Sequence, residues 1–181
     1  LEKPEAVLSM RCVDSNLCPD IIVYARSFGV GYYLHAIELE LGEMKYRRVR
    51  NLNYTETVRF HGHDGPFLAV GYRLGRYLVK KLRPPGIMGL RITVKTRIQK
   101  PFTCVLDGLQ CSTFATFGKG NLVVKNVSGR KILVCVEKGT KVLKFRMTQK
   151  AWDVCHVAVD LEKAARKILR MPINQLWRTI S

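Results

Sequence analysis

His61 and His63 stand two residues apart within residues 60–75, FHGHDGPFLAVGYRLG, just before a long apolar run. With the small Gly62 between them, both imidazoles can leave an extended backbone on the same side. That geometry suits a metal ion or a polarised substrate atom. Pro66 stands where a first helical residue would, its φ pre-set and its missing N–H without cost there, so the pair is expected at a helix entrance. On spacing alone an alternative stays open: two histidines hydrogen-bonded at a core edge beside Phe60.

Residues 103–122, TCVLDGLQCSTFATFGKGNL, hold a second group. On a helix, Cys104, Asp107 and Cys111 fall at i, i+3 and i+7 with Gln110 adjacent, so a thiol, a carboxylate and an amide share one face. A helix with two buried thiols and a solvated Asp107 fits the same spacing. The loop Gly118-Lys119-Gly120-Asn121 offers flexible backbone and one cation. It lacks the G-x-x-x-x-G-K-[ST] spacing of a phosphate-binding P-loop, which excludes a Walker-type nucleoside triphosphatase.

The elements that must position these groups are written in apolar periodicity and breakers. Thr55 is expected to cap a short helix with Glu56 in its first turn. A helix over 66–82 carries Phe67, Val70, Gly71, Leu74 and Leu78 at helical spacing until Pro84-Pro85-Gly86 stops it. An alternating strand is predicted over 90–98, a short helix over 103–112, and strands over 122–127, 131–137 and 142–147. Ser128 and Gly129 read as a hairpin turn between the first two of these three strands. Thr148 is expected to cap one long helix whose apolar face runs from Ala151 to Leu169, ended by Pro172, with a last short helix over 173–180. The class that follows is α+β, an antiparallel meander packed against helices.

Upstream, 21–24 reads as a strand and 32–41 as a helix. Residues 1–43 hold three basic and seven acidic residues, net −4, which leaves +21 for the remainder of a chain whose formal charge is +17. This shift near Met44 marks the expected boundary between an acidic N-terminal extension, 1–43, and the domain carrying both motifs, 44–181. The basic field favours an acidic partner subunit, an anionic small molecule or nucleic acid. The stretch with Arg47, Arg48, Arg50 and Tyr54 matches no helix-turn-helix, RNA-recognition or zinc-finger pattern, so nucleic acid ranks last.

The six cysteines, Cys12, Cys18, Cys104, Cys111, Cys135 and Cys155, include no C-x-x-C pair, so neither a zinc ribbon nor a thioredoxin-type motif is present. Cys12 and Cys18 are read as buried free thiols in preference to a pair or a metal site. No run approaches the roughly 18–20 apolar residues of a membrane span, and no signal segment opens the chain. A soluble, cytoplasmic protein with reduced thiols is expected.

Taken in register, the two motifs resemble the FmdE family of formylmethanofuran dehydrogenase-associated proteins over about residue 54 to the C-terminus. The family pattern FHGHxCPGLALGYRxG corresponds to FHGHDGPFLAVGYRLG here, and CxxDAIQxxTGCTxGKGNL to CVLDGLQCSTFATFGKGNL; the tail LRMPINQLW resembles the family's closing helix. The resemblance implies an α+β homodimer associated with a molybdenum or tungsten enzyme complex. It implies a divalent metal, with zinc the foremost candidate, held by His61, His63 and Cys104. Catalytic roles fall by the same carry-over to Asp107 and Lys119, and cofactor contacts to Gln110, Thr116 and Asn121. Gly65 and Ala115 replace two cysteines of the pattern, while Cys111, four residues before Ala115, could face similarly on a continuous helix. A scaffold subunit that keeps the fold without the chemistry is the competing expectation.

Overall fold

The computed structural model describes residues 7–9, 22–24 and 50–180. The chain divides into two units, Leu1–Val49 and Arg50–Ser181, and each is described by itself. In the first, β1 (Val7–Ser9) pairs antiparallel with β2 (Ile22–Tyr24), the strand expected at 21–24. The helix expected over 32–41, Cys12, Cys18 and the basic residues Arg47 and Arg48 lie outside the described residues.

The second unit begins with α1 (Tyr54–His61). Its cap is Asn53 rather than Thr55. The Asn53 side chain accepts from the Glu56 N–H at 2.9 Å while the Glu56 carboxylate accepts from the Asn53 N–H at 2.7 Å, a reciprocal capping box that needs the cap three residues before the acid. Arg50 holds the same carboxylate from outside. Helix α1 ends at Gly62, which turns left-handed at φ 91°. Glycine takes that conformation without a Cβ penalty.

Helix α2 (Pro66–Leu82) has the expected bounds, with Pro66 in its first turn, and Phe67, Val70, Leu74 and Leu78 are buried. It lies at the centre of the core, packed against α3 (Cys104–Thr113). The two backbones meet closely. A Cβ on Gly71 would stand 2.1 Å from the Val105 carbonyl oxygen, and one on Gly108 2.3 Å from that of Leu68.

The sheet is five-stranded, in the order β4-β3-β5-β6-β7, with β3 (Arg91–Thr96), β4 (Leu122–Asn126), β5 (Leu133–Lys138), β6 (Lys141–Met147) and β7 (Trp177–Ile180). It is mostly antiparallel, within an α+β fold, but β3 and β4 are parallel. The hairpin expected at Ser128-Gly129 is therefore absent. Helix α3 carries the chain from β3 to β4 as a crossover, so β4 leaves beside β3 and β5 must enter on the other side of β3. The observed hairpin joins β5 to β6.

Two helix expectations also change. The long helix after Thr148 is two helices, α4 (Gln149–His156) and α5 (Leu161–Arg170). The Asp160 side chain accepts from the Lys163 N–H and starts α5 anew, while Val157 and Val159 between them are exposed. The final segment is a single turn, α6 (Ile173–Leu176), followed by strand β7. Edge pairing with β6 wins over local helix formation there, and the Trp177 indole N–H donates to the Val70 carbonyl on α2. Among the described residues no helix is long and apolar enough to cross a membrane.

Candidate metal site

His61 is the last residue of α1, and His63 follows the left-handed Gly62. The pair therefore does not share an extended strand. The chain folds back on itself at Gly62 and brings the two rings to a centroid separation of 4.5 Å. Cys104, the first residue of α3, faces them: one ligand atom from each of His61, His63 and Cys104 lies within 4.8 Å of the others. Tetrahedral zinc with bonds of about 2.0–2.3 Å needs separations of roughly 3.3–3.8 Å. The triad is gathered, and His63 is its exposed member.

His61 is the rigid member, its side chain only 9% exposed. Its Nδ1 lies 2.7 Å from Asp107 Oδ2, and its Nε2 is buried without a hydrogen-bond partner among the described residues. A carboxylate only accepts, so Nδ1 carries the proton, and in the neutral ring that tautomer leaves a lone pair on Nε2. A buried ring nitrogen left in that state is costly unless something takes the lone pair. A divalent metal would do so, and the carboxylate–histidine arrangement is the usual outer support of such a ligand. The residues present thus fit a borderline metal bound by two imidazoles and a thiolate.

Asp107 is held in turn. Its Oδ1 accepts from Gln110 Nε2 at 3.0 Å, and Gln110 Oε1 accepts from the Phe117 N–H at 2.9 Å. One relay runs from the glycine loop through Gln110 and Asp107 to His61. Thr116 Oγ1 accepts from the Lys119 ammonium at 2.8 Å, and the Thr116 N–H donates to Asn121 Oδ1. Buried Asn121 donates to the Ile87 and Leu90 carbonyls. Partial burial lowers the Lys119 pKa from its ordinary value.

Burial, reinforced by the Asp107 charge, pushes the Cys104 thiol up. Cys111 stands outside the triad, and burial pushes its thiol up to about 11. Ala115 is fully buried. Gly65 borders the site directly, since a Cβ there would lie 3.4 Å from His63 Nε2. Beside it is a cavity of about 60 Å³, lined by His63, Gly65, Cys104 and Cys155 among apolar neighbours.

Tyr54 and Asp64 are contributors that spacing did not single out. The Tyr54 hydroxyl donates to Asp64 Oδ1 at 2.5 Å, tying the segment after His63 back to the start of α1. Burial and the Asp64 carboxylate raise the phenol well above its ordinary pKa. The acid inside HGHDGP was the available signal, but its partner ten residues upstream could be recognised only once α1 was in place.

The model of one protein family matches residues 60–178, and its description reads FmdE, molybdenum formylmethanofuran dehydrogenase operon. The match spans both motifs and the helices and sheet that carry them. No curated protein matches the chain.

Proposed function

The chain belongs to the FmdE family, and on that premise we propose that it is a divalent-metal-binding protein, with zinc held by His61, His63 and Cys104. The metal site would serve as an accessory to molybdenum- or tungsten-dependent formylmethanofuran dehydrogenase-type chemistry in the cytoplasm, where Cys104 stays reduced. The observation that carries this reading is the partnerless buried Nε2 of His61, whose Nδ1 is pinned by Asp107.

Zinc bound by three protein ligands supplies a Lewis acid with a position left for substrate. The remaining work belongs to the chain's own groups. Asp107 fixes the His61 tautomer, Gln110 fixes Asp107, and Lys119 offers a cation on the linked loop to draw an anionic substrate. Thr116 and Asn121 hold that loop's shape. Metal analysis of freshly purified protein decides the matter. About one zinc per chain is expected in the wild type and little in a His61→Ala, His63→Ala double variant; equal and negligible zinc in both removes the proposal.

Gly65 favours a second reading, a homodimeric accessory subunit that has lost the site's full chemistry. The resemblance places a cysteine there, and this chain has no side chain at that position, where a Cβ would lie 3.4 Å from His63 Nε2. Such a subunit would dock an acidic partner. Co-purification from native extract should then recover the partner, whereas a free homodimer under mild salt counts against it.

A further inference from the structure

One face of the sheet packs on the helices, and the strand register defines the other. Lys125 on β4 neighbours Lys95 on β3, Lys95 neighbours Leu133 on β5, Leu133 neighbours Arg146 on β6, and Arg146 neighbours Arg178 on β7. The alternate positions Val94, Val134 and Phe145 are buried, so this row lies on the open face, where all four cations are exposed. At strand spacings of about 4.8 Å the row spans roughly 19 Å across the sheet. Lys144 adds a fifth cation beside it.

Among the described residues nothing on the face neutralises this row. The acid there, Glu137, sits opposite Arg91, and none of the ion pairs among the described residues involves the row. Lys95 beside Lys125, and Arg146 opposite Arg178, are like-charge neighbours, an arrangement that weakens a sheet. Folding does not require it. Arg146 and Arg178 also line a recess of about 290 Å³, where Arg130 joins them over Met147, Thr148, Gln149 and Trp152.

We infer that the open sheet face binds the phosphate backbone of a duplex nucleic acid, without reading its sequence. Interfaces with nucleic acid are far more positively charged than those between proteins, whose centres are depleted of charge. The row crosses all five strands near one end of the sheet, Lys125, Lys95 and Arg146 being penultimate in β4, β3 and β6 and Leu133 first in β5. A second copy of the chain would bring the row against itself across a two-fold axis. The open-face positions carry no aromatic side chain, so stacking on single-stranded bases is not provided for.

The test is fluorescence anisotropy of the full chain with a labelled duplex of generic sequence across a salt series. A Lys95→Gln, Arg146→Gln, Arg178→Gln variant should lower the slope of log K against log salt by about 2.7, near 0.9 per phosphate contact. A Lys163→Gln, Lys167→Gln, Arg170→Gln variant removes equal charge from exposed positions of α5 and should leave the slope unchanged. If the first variant melts below the wild type, Lys125→Gln with Lys144→Gln replaces it, with an expected loss of about 1.8. Equal losses from both faces would reduce the effect to net charge and overturn the inference. So would no binding at low salt, or tighter binding of polyglutamate than of duplex, which would assign the face to an acidic protein.

Discussion

Gly71→Ala tests the packing on which the metal triad depends. A Cβ at position 71 would lie 2.1 Å from the Val105 oxygen, 2.9 Å from its carbonyl carbon and 3.0 Å from its Cα. All three are backbone atoms of α3, so no side-chain rotation relieves the clash. An ordinary contact near 3.4 Å requires the helices to part by about 1 Å, and overpacking of this kind costs about 3 kcal/mol at the upper end of its usual range. Alanine's better helix propensity returns about 1 kcal/mol, leaving a net loss of about 2 kcal/mol. For a unit of this size that is a fall in Tm of roughly 6–10 °C. The displacement also has a chemical reading. Val105 lies between Cys104 and Asp107, so moving α3 lengthens the 2.7 Å contact from Asp107 to His61. Zinc affinity should fall with stability, by about 10-fold or more, as when a ligand's outer support is lost. Gly118→Ala is the control, because a Cβ there meets nothing within 4 Å. Thermal melts by circular dichroism and competitive zinc titration read both effects. A Gly71→Ala protein melting within about 1 °C of the wild type would refute the close approach, and with it the account of how α3 is set against the histidines.

Asp107→Asn keeps the shape of the side chain but can no longer demand a proton on His61 Nδ1; zinc affinity should drop about 10- to 100-fold with little change in melting, and an unchanged affinity would show the contact to be idle. Asn53→Ala removes the α1 cap and should cost about 1 kcal/mol in urea unfolding, whereas a loss below about 0.3 kcal/mol would mean that the capping box contributes little. Glu56, hydrogen-bonded by Arg50 and the Asn53 N–H, has its folded pKa lowered from 4.5 to about 2, so its contribution is present above pH 4.5 and is lost as pH falls toward 2. Glu56→Gln should flatten that acid limb, and parallel pH profiles for the two proteins would contradict the assignment. Burial pushes the Cys111 and Cys155 thiols up to about 11 and about 12, so both should resist iodoacetamide at neutral pH until the protein unfolds; prompt labelling of either in the native protein would be inconsistent with its packing.

How far the sequence carries the fold varies with the kind of signal. Helix α2 is legible to the residue because Pro66 at its start and the proline-glycine cluster at its end bracket an uninterrupted apolar stripe. The strands are legible as strands, but their partners are not. Alternation in 122–127 and 131–137 says that each is half-buried, and a Ser-Gly turn between them suggests a hairpin; nothing local shows that α3 has already placed β4 parallel to β3. The long helix fails for the opposite reason. Apolar periodicity continues through 157–160, and only the cap at Asp160 marks the restart of α5, with Val157 and Val159 left in solvent. At 173–180 apolar spacing again suggests helix, where an open edge of β6 draws Trp177–Ile180 into the sheet.

The site shows the same limit at higher resolution. His61 and His63 are visible as a pair, but the extended geometry that their spacing suggests puts both rings on one side of a strand, whereas the actual convergence depends on a left-handed Gly62 at the end of α1. Spacing within α3 places Cys104, Asp107 and Gln110 on one face, yet it cannot say which of them meets a histidine. The division of labour emerges from burial. His61 is enclosed and oriented by Asp107, while His63 remains exposed on a segment tied down by Tyr54 and Asp64. An enclosed ligand and an exposed one, two residues apart, lie with Cys104 within 4.8 Å of one another. The buried Nε2 of His61 supplies the reason for an ion to bind, and His63 and Cys104 lie close enough to complete its shell.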